Sequence, residues 1–308
     1  MAKNGFRLKS LNYKAYFCPM FFLKLISRLP LPVLYFICDF VRIVLFYLLK
    51  YRVRVVRSNL NNAFPEKSPA EIEKIIQKFY RNLSDIIAES IKCISIRKED
   101  LEKRISFESE EIPLSYLDNG RTILVLTGHL CNWEWLLLAC SIRYNYPIDA
   151  IYKPLHNPKW EELFYKTRSK FGAKPIAMKD TLREMVRRKD IVRGIAMVAD
   201  QTPPHGEIQY WTNFLNQNTP FFVGADKMAK KGNFPVIFAG MKRTGRGKYT
   251  IYFKEIARPP YEGEEEFSLI KKYAETLEES IREAPENWLW SHKRWKHKQP
   301  KKVVSDKL

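Results

Sequence analysis

The residues best suited to chemistry are His129 and Glu134, which lie in the stretch TGHLCNWE at positions 127–134. A neutral histidine can take a proton from a hydroxyl near pH 7, which makes that hydroxyl a nucleophile. A carboxylate on the other ring nitrogen would fix the tautomer and stabilise the imidazolium. The activated hydroxyl could then attack an acyl thioester directly, without an enzyme nucleophile. The spacing also fits a loop histidine followed by a glutamate that complements a helix dipole.

The residues around His129 predict a strand, a turn and a helix. The apolar run at 122–126 (TILVL) has strand character, and a helix is expected over 133–142. Gly128 permits a sharp turn or the close approach of a ligand, and Asn132 is a suitable N-cap. His129 therefore follows the carboxyl end of a strand, where open α/β sheets bind their ligands.

The rest of the chain alternates between strand and helix patterns. Helices are expected first over 59–105, where Ser68 begins a capped helix. Further strands are predicted at 148–152, 195–199, 235–239 and 249–253, and further helices at 160–171, 222–231 and 267–283. This order predicts an α/β fold with a central, mostly parallel sheet. We expect a helical anchor at 1–58, the α/β domain at 59–298 and a flexible basic tail at 299–308.

The chain is strongly basic, with 53 Lys and Arg against 34 Asp and Glu, a net charge of +19. Such a surplus indicates anionic partners, namely nucleic acid, phosphate-bearing lipid or an acidic protein, although single basic runs also occur as solvated faces. The sequence has no zinc-finger spacing and no RNP signature, so nucleic acid is not expected. A basic binding module without catalysis stays an alternative from a different class.

The cysteines and histidines predict neither disulfides nor a metal site. The chain has five cysteines, an odd number, and none forms a CxxC pair, which favours free thiols in a reducing compartment. The histidines show no HExxH pattern, and no metal is expected. Cys131, two residues from His129, is a rival candidate as an acyl-accepting thiol.

The apolar segment 29–49 predicts contact with a membrane. Its length could cross a bilayer, but it contains Asp39, Arg42 and two prolines. Asp39 and Arg42 are three residues apart and could pair on a helix. A span, an interfacial helix and a buried core helix all fit this pattern. Aromatic residues at 16–22 and 47–51, followed by basic residues, favour a membrane surface.

The motif around His129 resembles that of a known family. His129 and Glu134 match the H-x4-[DE] signature of lysophospholipid and glycerophosphate acyltransferases, and GHLCNWEW at 128–135 is similar to the lipid A late acyltransferases. Other stretches resemble that family in the same order, over about residues 15–298. They are KYR at 50–52, NL at 59–60, AFPE at 63–66, YKP at 152–154, NP at 157–158, Arg168 with Gly172, ADQTP at 199–203 and PENWLWSHKRWK at 285–296.

The resemblance implies a glycerol-3-phosphate-acyltransferase-like α/β core at the cytoplasmic face of a bacterial inner membrane. It implies acyl carrier protein as the donor, a phosphorylated glycolipid of the lipid A pathway as the acceptor, and no cofactor. The basic charge suits these partners, because the carrier protein, the glycolipid phosphates and the membrane are all anionic. A lysophospholipid, an amino-acid lipid or another glycolipid stays open as the acceptor.

Four further residues are candidates for the site. Arg168 matches an arginine that the family uses near the substrate, and it is expected to bind acceptor phosphate or to stabilise an oxyanion. Asp200 ends a strand and could orient His129, bind substrate or simply form a turn. Lys153 and His156 lie in another loop at the end of a strand and are candidates for phosphate contact.

Overall fold

The structure is a computed structural model that describes residues 20–299. The strands are β1 Ile105–Glu108, β2 Ile123–Thr127, β3 Ile148–Tyr152, β4 Lys174–Ala177, β5 Gly194–Val198, β6 Tyr210–Phe214, β7 Gln217–Phe221, β8 Val236–Gly245 and β9 Lys248–Ala257. The helices are α1 Leu31–Ile43, α2 Val53–Ala63, α3 Pro69–Cys93, α4 Lys98–Glu102, α5 Glu111–Leu117, α6 Trp133–Arg143, α7 Pro158–Arg168, α8 Thr181–Arg187, α9 Gly224–Gly232 and α10 Ser268–Glu283. The expectations for residues 16–19 and for the tail from 300 onward lie outside the described residues.

Seven strands form one sheet in the order β1-β9-β8-β2-β5-β3-β4. All neighbours in it are parallel except β8 and β9, which form an antiparallel pair. Strands β6 and β7 form a separate hairpin. The predicted α/β fold with a mostly parallel central sheet is confirmed, while the division of the chain at residue 58 stays a prediction.

The strands predicted from apolar runs are present, and four short strands were not predicted. β1 and β4 have four residues each, too few to show a pattern. β6 and β7 read YWTNF and QNTPF, with polar residues where a buried strand would be apolar. The expected helix starts are found: Ser68 forms a capping box with Glu71, and Asn132 caps α6.

The sheet is covered on both faces, which is why its central strands are apolar throughout. One hydrophobic core joins the sheet to α9 and α10, and the other joins it to α1 and α6, while α3 contributes to both. Helix α10 reaches the end of β2 directly, because the Tyr273 hydroxyl donates to the Thr127 carbonyl at 2.8 Å. The carboxyl end of β2 is therefore held by α10 as well as by its neighbouring strands.

Helix α1 and the π-helix Val44–Leu48 that continues it carry the apolar segment. The stretch from Leu31 to Leu48 is long and apolar enough to cross a membrane, and only 28% of it is buried within the protein. Its outward residues include Phe36 and Phe40, which are 78% and 66% exposed. Asp39 meets Arg42 at 4.0 Å as expected, but its closer partner is Arg246, at 2.8 Å. Low burial favours membrane contact over a core helix.

We expect the replacement Leu124→Ala to lower the free energy of unfolding by about 2–5 kcal/mol, because it leaves a cavity in the middle of the sheet. Leu124 in β2 is fully buried, whereas Leu182 in α8 is 67% exposed. Leu182→Ala is therefore the matched control, with an expected change within about 0.5 kcal/mol. Denaturant titration in detergent micelles measures both, and equal losses would contradict the placement of β2 in the core.

Candidate active site

The register of β2 against β5 brings two functional residues opposite each other. Thr127 pairs with Val198 at the carboxyl ends of these parallel strands, and the Ala199 amide still donates to the Thr127 carbonyl at 3.1 Å. His129 and Asp200 each follow the paired end by two residues. The two side chains therefore meet at the edge of the sheet where ligands bind.

Asp200 forms two hydrogen bonds with His129. Its Oδ1 lies 2.5 Å from the ring Nδ1, and its Oδ2 accepts the His129 backbone amide at 2.8 Å. A carboxylate can only accept, so Nδ1 carries the proton and Nε2 keeps its lone pair. Nε2 faces the Gln201 side-chain amide nitrogen at 3.2 Å, which fits that tautomer. The ring is thus prepared to take a proton at Nε2.

Asp200 is ionised despite its burial. Its side chain is only 2% exposed, and burial by itself raises the pKa of a carboxyl. The charge and hydrogen bonds of His129, together with the Trp288 indole N–H at 2.8 Å, outweigh burial and lower the Asp200 pKa to about 2. A carboxylate that stays charged can orient the imidazole and stabilise it after it takes a proton.

Gly128 makes room for this contact. A Cβ at this position would come within 2.6 Å of Leu277 Cδ1 and 3.4 Å of Asp200 Oδ2. A side chain here would push against α10 and against the carboxylate that holds His129. The close approach at Gly128 is therefore made by the protein's own core, and the approach of a ligand there stays a prediction.

Glu134 has a different partner from the one expected. Its two carboxylate oxygens accept from Arg168, with Nε–Oε2 at 2.9 Å and Nη2–Oε1 at 2.5 Å. The expectation that Glu134 orients His129 is therefore wrong, because Asp200 occupies Nδ1. The physical reason is that Glu134 begins α6 and faces α7, whereas β5 delivers Asp200 directly to the ring.

Arg168 is held in a fixed orientation at the end of α7. Its guanidinium stacks against the rings of Tyr152 and Phe164, 5.5 and 5.4 Å from their centroids. Burial works against its charge, but the paired Glu134 carboxylate more than compensates and raises the Arg168 pKa. The pair uses one N–H of Nε and one of Nη2, so the two N–H groups of Nη1 take no part in it.

The remaining candidates are not joined to this centre. Lys153 and His156 are exposed in the loop after β3, and no hydrogen bond or ion pair of the described residues links either side chain to His129. Cys131 is buried, and its thiol donates to the Met241 carbonyl. Burial also raises the pKa of the Cys131 thiol, which argues against an acyl-accepting role.

Sequence reasoning did not identify the contribution of the segment 285–296 to the site. Trp288 donates to Asp200, and the Asn287 carbonyl accepts the Cys131 amide at 2.9 Å. The tryptophan-rich motif was a visible signal, but it is equally typical of packing. Trp288 also borders a small recess beside His129, lined in addition by the apolar Phe79, Leu83, Ile86, Trp133 and Leu289 and by the polar Asn82, Glu286 and Asn287.

The arrangement is a histidine held by a carboxylate at the carboxyl ends of parallel strands, which is chemically able to take a proton from a hydroxyl. Within residues 20–299, no group of acidic, histidine or cysteine side chains could hold a metal ion. A family model described as bacterial lipid A biosynthesis acyltransferase matches residues 1–297. The chain therefore belongs to the bacterial lipid A biosynthesis acyltransferases, and its role is acyl transfer in lipid A synthesis with a lipid A-type acceptor. Membership favours this enzyme over a basic binding module.

Individual relatives agree with the family. The chain is 24% identical over 276 residues to a lipid A biosynthesis palmitoleoyltransferase of Escherichia coli (strain K12), with 87% of each chain covered. It is equally similar to a lipid A biosynthesis acyltransferase of Shigella flexneri. A lipid A biosynthesis acyltransferase of Haemophilus influenzae is 24% identical over 251 residues, which cover 78% of this chain and 74% of the relative.

We expect Asp200→Asn to flatten the acid dependence of stability. Asp200 has a lowered pKa in the folded protein, so it stabilises the fold above the ordinary value of about 3.9. That stabilisation is lost as the pH falls through the folded-state pKa of about 2. Denaturant titrations between these two pKa values should show that the free energy of unfolding falls less steeply with falling pH in Asp200→Asn than in the wild type. The exposed Asp190→Asn is the control, and an unchanged slope in Asp200→Asn would contradict the ionised state.

Proposed function

We propose that this protein transfers a fatty acyl chain from acyl carrier protein to a hydroxyl of a lipid A precursor, with His129 as the general base. The observation that carries the proposal is the contact between the ring Nδ1 and the Asp200 carboxylate at 2.5 Å, which leaves Nε2 as the base. Family membership supports the acyl transfer and the type of acceptor. The donor and the roles of individual residues are the proposed part.

The reaction is a single displacement. His129 Nε2 removes the proton from the acceptor hydroxyl while the hydroxyl oxygen forms a bond to the thioester carbonyl carbon. The carbonyl becomes a tetrahedral oxyanion. When the carbonyl re-forms, the C–S bond breaks, and the departing thiolate takes the proton back from His129. Every proton and electron pair is accounted for without a metal or an organic cofactor, and the phosphopantetheine arm arrives with the donor.

Two ion pairs divide the work. Asp200 stabilises the imidazolium that forms when His129 holds the proton. Glu134 acts on Arg168, because a bidentate carboxylate presents the guanidinium in one orientation. Arg168 then stabilises the oxyanion or binds an acceptor phosphate through Nη1. Glu134 is therefore proposed as a positioning residue rather than as the partner of the base.

The acyl chain and the charged parts of the substrates need different surfaces. Apolar side chains beside His129, among them Phe79, Ile86 and Trp133, are proposed to face the carbons next to the thioester. Lys153 and His156, exposed after β3, are proposed to meet acceptor phosphates at the same edge of the sheet. The apolar outer face of α1 would hold the enzyme on the cytoplasmic face of the inner membrane, where both substrates are reached.

We expect His129→Ala to lower kcat by at least about 10²-fold, because the acceptor hydroxyl loses its base. Acyl transfer from acyl carrier protein to a purified lipid A precursor, followed by mass spectrometry, measures the rate. His156→Ala is the matched control and should raise the KM for the acceptor while kcat changes little. A His129→Ala variant that is folded and turns over at the wild-type rate would refute the mechanism.

Binding of the donor should weaken as salt rises. The net charge of +19 attracts an acidic carrier protein through charges that ions screen. We expect the Kd for acyl carrier protein to rise by at least about tenfold between roughly 50 and 500 mM NaCl. An uncharged acyl-pantetheine is the control and should bind with little salt dependence. A salt-independent Kd for the carrier protein would contradict the electrostatic account.

A further inference from the structure

Glu89 places a carboxyl group in the protein interior behind the catalytic loop. It lies in α3, is fully buried, and accepts three side-chain hydrogen bonds. The donors are the Tyr35 hydroxyl at 2.6 Å, the Asn132 amide at 2.7 Å and the Tyr249 hydroxyl at 2.8 Å. Burying a carboxyl is costly, and it is tolerated here because each oxygen is paired.

One of these donors sets the shape of the loop that carries His129. Asn132 lies three residues after His129 and two before Glu134, and it is itself fully buried. Its side-chain oxygen accepts the Trp135 amide at 3.0 Å and so fixes the first turn of α6. Because the Asn132 amide group donates to Glu89, the carboxyl group fixes the orientation of the Asn132 side chain that caps α6. Cys131 just before it has a φ of +49°, a conformation that needs support from its surroundings.

A second donor belongs to the apolar helix α1. Tyr35 is buried on the inner face of that helix, while Phe36 and Phe40 point outward. Tyr35 and Asn132 thus meet at the two oxygens of a single carboxyl group. Nearby, Asp85 of α3 receives Arg243 and Arg246, so the local arginines are directed to another acid. The donors on Glu89 itself are neutral groups, which suit an orienting role better than charge balance.

We propose that Glu89 is a positioning residue for acyl transfer, and that it transmits the seating of helix α1 to the loop that carries His129 and Glu134. The inference rests on the proposed function. When α1 is seated, Tyr35 donates to Oε1 of Glu89, and Oε2 accepts from both Asn132 and Tyr249. A shift of α1 would turn the carboxyl group, and the cap, the loop and the imidazole would follow. One chain of hydrogen bonds then links the attachment of α1 to a bilayer with the position of the His129 ring.

Glu89→Ala and Glu89→Gln form the first test. Glu89→Ala leaves the buried Asn132 amide without its acceptor, and a small displacement of a catalytic group can cost about 10²-fold in rate. We expect kcat to fall by that order with little change in the KM for the donor. Glu89→Gln keeps one oxygen for Asn132 and can donate to a tyrosine hydroxyl, so kcat should return to within about threefold of wild type. A loss caused by general destabilisation would lower the melting temperature. It would not be rescued by Glu89→Gln, and it would not lower kcat while leaving the KM for the donor unchanged.

Tyr35→Phe tests the link to α1. It removes one hydroxyl and keeps the ring, and we expect kcat to fall by about tenfold. Tyr116→Phe is the matched control, because the Tyr116 hydroxyl also donates to a carboxylate, that of Glu255, at 2.5 Å. Glu255 lies near the end of β9, at the edge of the sheet opposite His129. If Tyr35→Phe and Tyr116→Phe behave alike, the link to α1 is refuted. If Glu89→Ala retains the wild-type kcat, the positioning role is refuted as well.

A readout that does not depend on turnover separates this inference from the proposed function. Diethyl pyrocarbonate modifies accessible imidazole rings, and peptide mass spectrometry reports the rate at His129. We expect faster modification of His129 in Glu89→Ala and an unchanged rate in Tyr116→Phe. Altered reactivity in an enzyme that fails to transfer acyl chains even as wild type would support the positioning and refute the function. Unchanged reactivity in Glu89→Ala would refute the positioning.

Discussion

The site depends on the contact between the His129 ring and the Asp200 carboxylate. The contact requires that β2 and β5 are neighbours in register and that Gly128 carries no side chain. It also requires donors that keep a buried acid ionised, which the His129 amide and the Trp288 indole supply. The Asp200 carboxylate therefore depends on three parts of the chain. These are the sheet, Gly128 and the tryptophan-rich motif at 285–296.

A second pair stands beside the first without sharing its partners. Glu134 and Arg168 bind each other in a bidentate arrangement, supported by the rings of Tyr152 and Phe164. A cation placed directly on His129 would oppose the imidazolium that the proposed proton transfer forms. Because Glu134 keeps Arg168 in place, the protein can hold a base and a cation at one edge of a sheet, each stabilised by its own carboxylate.

The apolar helix α1 is built into the enzyme as well as facing outward. Tyr35 and Asp39 on its inner side bond to Glu89 and Arg246, while its outer aromatic residues are exposed. Hydrogen bonds inside a protein are directional and costly to leave unmade, so they hold a helix in one position more strictly than apolar contacts do. A helix that exposes apolar side chains on one face and is joined to the loop of His129 through a buried acid on the other suits an enzyme with a lipid A-type acceptor.

Local features of the chain could be predicted. For the long-range partner of His129 the sequence offered Asp200 with several possible roles and could not choose it over Glu134. The strand before His129, the Asn132 cap and the α/β order follow from apolar runs and backbone preferences that act over a few residues. The partner of His129 is 71 residues away in sequence, and the partner of Glu134 is 34 residues away. A motif contains the types of residues that react, but spacing along one loop cannot say which carboxylate reaches a ring. That was decided by strand order and register, because packing of the whole sheet brings Asp200 to the imidazole and turns Glu134 towards α7.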